Sequence, residues 1–243
     1  MKTPPLDVGH ETLSRISDSL GRYNTWMYQQ IAEAVGEEVL EVGSGIGNLS
    51  GFLADRQRVC LTDVSTTYLE ILMDRFKVLP HVSVHAWDLG EEPPASLEPR
   101  SFDTAICLNV LEHIEDDRAA LRRLYALLKP HGRLALLVPA HPALYNGFDK
   151  GVGHFRRYRK PDLDQLLVET GFQTRRIWHF NALGALGWYV NGNLLRKTIL
   201  PTGQMKLFDR LVPLLKFEQR LTLPFGISLI AIAEALPDPE ASR

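Results

Sequence analysis

The run Val39-Leu40-Glu41-Val42-Gly43-Ser44-Gly45-Ile46-Gly47-Asn48-Leu49-Ser50 constrains this chain most, because an apolar segment breaks into three glycines spaced two apart. A strand ending this way turns sharply and offers main chain that a ligand approaches closely, since no Cβ stands in the way. The junction predicts a strand, a turn facing a nucleoside cofactor, and a helix opening at the glycines and running through Leu53. Glycines 43, 45 and 47 read G-x-G-x-G, whereas a dinucleotide fingerprint has its third glycine one place later, where this chain has Asn48. A nicotinamide-dependent oxidoreductase therefore starts at a disadvantage. It stays as one alternative, beside a protein that binds a cofactor without turnover.

The pattern continues along the chain. Arg58–Thr62 is apolar and closes on Asp63, about 20 residues past the first glycine, where an acid in a doubly wound sheet accepts both hydroxyls of a ribose. His81–Trp87 closes on Asp88, and Phe102–Leu108 runs into Asn109-Val110-Leu111-Glu112-His113-Ile114. Between these strands, Thr66–Val78 follows the cap signal Ser65-Thr66, and Glu115–Lys129 ends at Pro130 and Gly132. Arg133–Val138 gives a fifth strand, Leu163–Thr170 a helix stopped by Gly171, and Phe172–Phe180 and Phe225–Ala233 two further strands. Alternation of this kind, with right-handed crossovers, builds an α/β doubly wound sheet with helices on both faces and function beyond the carboxyl ends of its strands. Leu13–Val35 has helical spacing interrupted near Gly21, so residues 1–36 read as a helical segment covering the site. Residues 37–243 read as the main domain, with a helical insert at about 181–225.

Taken together, LEVGSGIGN, LTDVS, HAWDLG and FDTAICLNVLEHIEDD resemble the ordered motifs of class I S-adenosylmethionine (SAM) dependent methyltransferases of the small-molecule "LEH" type. The resemblance implies a Rossmann-like seven-stranded sheet of order 3-2-1-4-5-7-6 with the last strand antiparallel. It also implies SAM as cofactor and S-adenosylhomocysteine as product. By the same resemblance Gly43, Ser44 and Gly45 meet the methionine half of the cofactor, with Glu41 as a supporting acid. Asp63 matches the ribose-binding acid and Asp88 the residue that meets the adenine amino group. Leu89 main chain meets the ring, Val64 or Trp87 flanks its face, and Asn109 stands near the sulfonium. The segment Asp149 to Tyr158 resembles a "D…GH.RRY" element of a bacterial subset.

A sulfonium methyl is already activated, so its transfer needs an in-line acceptor and a dry site more than a nucleophilic side chain. A base near the methyl adds about 10²–10⁴ in rate when the acceptor carries a proton. His113, past the fourth strand, and His141, past the fifth, are the candidates. Capping or packing of the helix that follows is the plainer role for His113. The pair Glu112-His113 suits a metal, but no H-x-x-x-H or C-x-x-C companion accompanies it, so no metal is expected. Tyr23, Tyr145, His154, Arg156, Arg157, Tyr158 and Asn181 are the candidates for contact with a small or amphipathic acceptor. Two adjacent arginines suit a carboxylate or phosphate on it. A basic loop bridged to Asp149, Asp162 or Asp164 explains them equally well.

Lys plus Arg number 27 against 29 Asp plus Glu, and a net charge of -2 supplies no field to hold nucleic acid. Cys60 and Cys107 both sit in apolar runs without metal-ligand spacing, which fits buried thiols in a reducing cytoplasm. The amino-terminal twenty residues hold Pro4 and Pro5 and no apolar core, so no secretory signal is expected. The stretches 182–190 and 227–233 fall short of the ~20 apolar residues that span a bilayer. In the insert, Trp188, Tyr189, Leu194, Leu207, Phe208 and Leu211 interleave with Arg196, Lys197, Lys206, Arg210 and Lys216. Core or dimer packing, a lid over the acceptor and peripheral lipid contact all remain open there, and oligomeric state is not readable.

Overall fold

The computed structural model describes residues 20–195, 197, 202–221 and 223–237. The expected start of the first helix at Leu13, the prolines at 4 and 5, and Arg196 lie outside the described residues. One sheet of seven strands has the order β3-β2-β1-β4-β5-β7-β6. Its strands are β1 Glu38–Val42, β2 Arg58–Asp63, β3 Val82–Ala86, β4 Phe102–Leu108, β5 Leu128–Pro139, β6 Phe172–Phe180 and β7 Ser228–Ala235. The pairs β1–β2, β1–β4, β2–β3 and β4–β5 are parallel, and β7 runs antiparallel to both β5 and β6. The Rossmann-like order implied by the resemblance is the order found.

Two cores lie on either side of this sheet, and the period-2 alternation of the strands feeds both. Leu40, Val42, Cys60, Ala105 and Cys107 point into a core with Leu121, Leu124, Leu163 and Leu167. Val39, Val59, Leu61 and Ile106 point into the other, with Trp26, Ile31, Leu72 and Phe76. A strand buried on both faces reads as a continuous apolar run, which is what the sequence has at these places.

The helices are α1 Gly21–Ile31, α2 Thr66–Phe76, α3 Asp117–Leu127, α4 Gly147–Val152, α5 Lys160–Glu169, α6 Ala182–Trp188 and α7 Thr202–Leu215. Ser65 caps α2 by accepting from the Tyr68 amide, and Asp116 caps α3 by accepting from Ala119. Two expectations need correction. No α-helix opens at the glycine loop: residues 45–49 form turns and Ser50–Leu53 a single 3₁₀ segment. Gly43, Gly45 and Gly47 all have positive φ (69°, 56° and 83°), and a run of such residues cannot nucleate a right-handed helix. Nor does Pro130 stop a helix, since α3 ends at Leu127 and Leu128 already belongs to β5. Leu128 pairs with Phe102 and a register shift follows, so Pro130 lies where the ladder is irregular and its missing N–H is tolerated.

The insert folds onto the body of the protein. Helix α7 packs on α1: Val212 is fully buried, Phe208 meets the Tyr23 ring edge-on at 5.7 Å, and the Tyr23 amide donates to Asp209 Oδ1 at 2.9 Å. Helix α6 runs directly into a π-helical turn, Tyr189–Leu194. Glu218 ties the insert to the end of β6 by accepting from the amides of Asn181 and Ala182 at 2.6 and 2.9 Å.

Candidate cofactor and acceptor site

The glycine loop is built from below. Ser44 N–H donates to Thr62 O at 2.9 Å, and the hydroxyls of Thr62 and Ser44 both donate to Glu41 O. Glu41 is buried, and Ser50 donates to its carboxylate. Burial lifts the Glu41 carboxyl to about 7, against the pull of the Ser50 and Ser44 hydroxyls. Its side chain is thus a prop inside the loop. A Cβ on Gly43 would lie 2.4 Å from Val110 Cγ2, so this position admits no side chain while Val110 packs beneath it.

Asp63 closes the loop from the neighbouring strand. Its Oδ2 accepts from Gly45 N at 2.8 Å and its Oδ1 from Ser65 N at 2.9 Å. Burial raises its carboxyl, with the amides of Ser65, Gly45 and Val64 pulling the other way. A carboxylate offers about four acceptor positions, so one stays open beside these three amides. Val64 beside it is exposed. Asp88 is half-buried and accepts from Gly90 N at 2.8 Å, Leu89 is buried, and Trp87 is held by its indole N–H to Glu91 O. Asn109 stands exposed at φ 56°, its amide bonded to Leu137 O, at the carboxyl end of β4.

A second group gathers past β4 and β5. The 3₁₀ turn Leu111–His113 and the segment 153–158 meet through Phe155 N–H to Glu112 O at 2.8 Å. Segment 153–158 then lies along the end of β5: Tyr158 N–H donates to Pro139 O and His141 N–H to Tyr158 O. His141, at φ 59°, stacks flat on His179 with centroids 4.9 Å apart, and its Nε2 is buried without a hydrogen-bond partner. Burial, then the Arg157 charge, lowers its pKa. His113 and His154 meet edge-on at 4.6 Å, and burial followed by the His154 charge brings His113 down to about 4. His154 Nδ1 is 2.9 Å from Asp149 Oδ1, its Nε2 is 3.7 Å from Glu112 Oε1, and Tyr145 donates to its carbonyl.

Neither arginine of the expected anion-binding pair is without a protein partner. Arg157 is buried, donating from Nε to Asp149 Oδ1 at 2.8 Å and from Nη1 to Ala140 O at 3.1 Å. Arg156 Nη1 stands 2.7 Å from Asp117 Oδ2, and Tyr158 donates to the same oxygen at 2.9 Å. Tyr23 stacks on Phe180 at 5.9 Å, and burial pushes its hydroxyl up to about 12. Asn181 is buried and caps α6 by accepting from Gly184 N at 2.7 Å. Sequence reasoning missed Ser50 and His179: the first carries no signal outside its bond to Glu41, and the second was legible only as another residue near a strand end.

The strand order and the glycine loop at the end of β1 are those of the Rossmann-like fold found in solved methyltransferases, and the comparisons agree. Residues 40–134 match the family described as methyltransferase domain. The chain is 37% identical over 110 residues to an uncharacterized methyltransferase of Mycobacterium tuberculosis, covering 45% of this chain and 54% of that protein. It is 29% identical over 163 residues to a ubiquinone biosynthesis O-methyltransferase of Xanthomonas euvesicatoria pv. vesicatoria, covering 58% and 64%. It therefore spans between half and two thirds of these relatives. Among solved structures, a SAM-dependent methyltransferase from Mesorhizobium loti superposes with a TM-score of 0.62 at 16% identity, covering 90% of this chain and 99% of that one. Among the described residues no helix is long and apolar enough to cross a membrane.

Proposed function

We propose that this protein moves the methyl group of SAM to a small or amphipathic acceptor, and that the Gly45–Asp63 clamp is the core of its cofactor site. The observation that carries this reading is the 2.8 Å bond from Gly45 N–H to Asp63 Oδ2, which fixes a bare glycine loop against an acid with acceptor capacity to spare. In this reading Asp63 holds the ribose hydroxyls, Gly43, Ser44 and Gly45 line the methionine half, and Glu41 supports them from within. Asp88 and the main chain of Leu89 meet the adenine, Val64 flanks it, and Asn109 stands near the sulfonium.

When bound, SAM supplies an activated methyl. The protein's part is to align an acceptor, exclude water and remove a proton. His141 suits proton removal, because burial and the Arg157 charge lower its pKa and keep the ring neutral, and no protein group is bonded to its Nε2. His113, also neutral, is the second candidate. Tyr23, Tyr145, His154, Tyr158 and Asn181 shape the acceptor side, with residues 20–36 and the insert over it. Arg156 and Arg157 hold that side together through Asp117 and Asp149. The name of the Xanthomonas relative supports an oxygen acceptor.

Native mass spectrometry of the purified protein tests the cofactor, with calorimetry of SAM and of a nicotinamide dinucleotide alongside. SAM binding that Asp63→Ala weakens is the expected result, and a screen of extracts for methylated product then identifies the acceptor. Binding of the dinucleotide instead, or SAM affinity indifferent to Asp63, overturns the reading.

A further inference from the structure

Three potential ligand atoms, one each from Glu112, His113 and His154, lie within 4.8 Å of one another at the carboxyl end of β4. The Glu112 side chain is fully buried, and neither carboxylate oxygen has a hydrogen-bond partner. A carboxyl buried that way is either held neutral or completed by a cation. Its Oε1 lies 3.7 Å from His154 Nε2, a separation that two donors sharing one ion at about 2.0–2.2 Å each can take up.

The second layer is in place as well. Asp149 Oδ1, 2.9 Å from His154 Nδ1, turns the other ring nitrogen toward Glu112, and main chain at Gly153 engages the His113 ring. Carboxylate and main-chain partners of this kind fix the tautomer of a ligating imidazole. In the sequence His154 is too far from Glu112-His113 to register as a ligand companion.

We propose that Glu112, His113 and His154 bind a divalent first-row transition ion, zinc above all, as a two-imidazole, one-carboxylate site. Nitrogen and oxygen donors of this softness suit zinc, cobalt or iron better than magnesium or calcium. Three protein ligands leave a tetrahedral ion one open position, which a water or an oxygen of a small molecule fills. The test needs no acceptor, and an ion held there occupies His113 and leaves His141 as the candidate base.

Full-length protein stripped with a chelator and titrated with Co²⁺ decides the matter. Visible d–d absorption saturating at one equivalent and bleached by Zn²⁺ is expected. Glu112→Gln and His113→Ala should lose it. Asp149→Asn, which leaves all three donors, should weaken affinity about 10–100-fold. His131→Ala, an exposed histidine paired with Glu234, should change nothing. Absence of the absorption in the unaltered protein overturns the proposal whatever the variants do. So does absorption that persists in folded Glu112→Gln or His113→Ala.

Discussion

Asp63, the last residue of β2, accepts a 2.8 Å hydrogen bond from the main-chain N–H of Gly45, the middle glycine of the loop that follows β1. The bond joins two neighbouring parallel strands just past their carboxyl ends, so the acid and the loop are one unit. A change at Asp63 acts on the loop as well as on any ligand.

Asp63→Ala should weaken SAM binding by about 1.5–3 kcal/mol, the range for hydrogen bonds to a charged group. Asp63→Asn keeps an oxygen for the Gly45 amide and should bind between the two. Calorimetry on all three proteins gives the order, and equal affinities would remove Asp63 from the site.

Gly43→Ala should destabilise the fold by at least about 1–2 kcal/mol, the cost of left-handed backbone for an L-residue. The clash adds to this, because the new Cβ meets Val110 Cγ2 at 2.4 Å. Adding Val110→Ala should relieve the clash and leave the backbone cost. Urea melts of the single and double variants separate the two contributions.

Glu41 yields a pH prediction. Its carboxyl is lifted from 4.5 to about 7 in the folded state, so the unfolded chain releases the proton first. The associated stability is fully present below about pH 4.5 and is lost as pH rises through about 7. Glu41→Gln, which keeps an oxygen for the Ser50 hydroxyl, should match the parent protein at pH 4.5. At pH 8 it should be more stable, by on the order of 3 kcal/mol. Melting curves that keep one offset at both pH values would contradict the buried-acid account.

If His141 is the base, His141→Ala should lower turnover about 10²–10⁴-fold and spare SAM affinity. The acid limb of the kcat profile should lie below the ordinary 6.5, since burial and the Arg157 charge lower this pKa and the ring must be neutral to accept a proton. A profile flat down through that region, with turnover intact in the variant, would take the role from His141.

Arg157→Ala should act on stability first. It strands the buried Asp149 carboxylate, and breaking a buried pair from one side costs about 3–5 kcal/mol. A loss of unfolding free energy of that size in urea melts is the expected reading. A variant that melts like the parent and only raises an acceptor's KM would make Arg157 a ligand for the acceptor instead.

The sequence alone determined the strands, while their order and the antiparallel last strand came from the resemblance. Apolar runs closing on Glu41, Asp63 and Asp88, with capped helices between, fix strands and crossovers because each signal is local: period, cap and glycine spacing act within a few residues. The glycine loop and its acid were legible for the same reason. The helix expected after the loop was not found, since three positive-φ glycines override the local pattern, and β5 began before Pro130 because pairing with β4 outweighs a helix stop. Tertiary structure decided everything that depends on distant partners. It joined His154 to Glu112 and His113, bound Arg157 to Asp149, laid His141 on His179, and folded α7 onto α1. A lone His, Arg or Glu carries no periodicity, so its role is set by burial and by the charge that the fold places beside it.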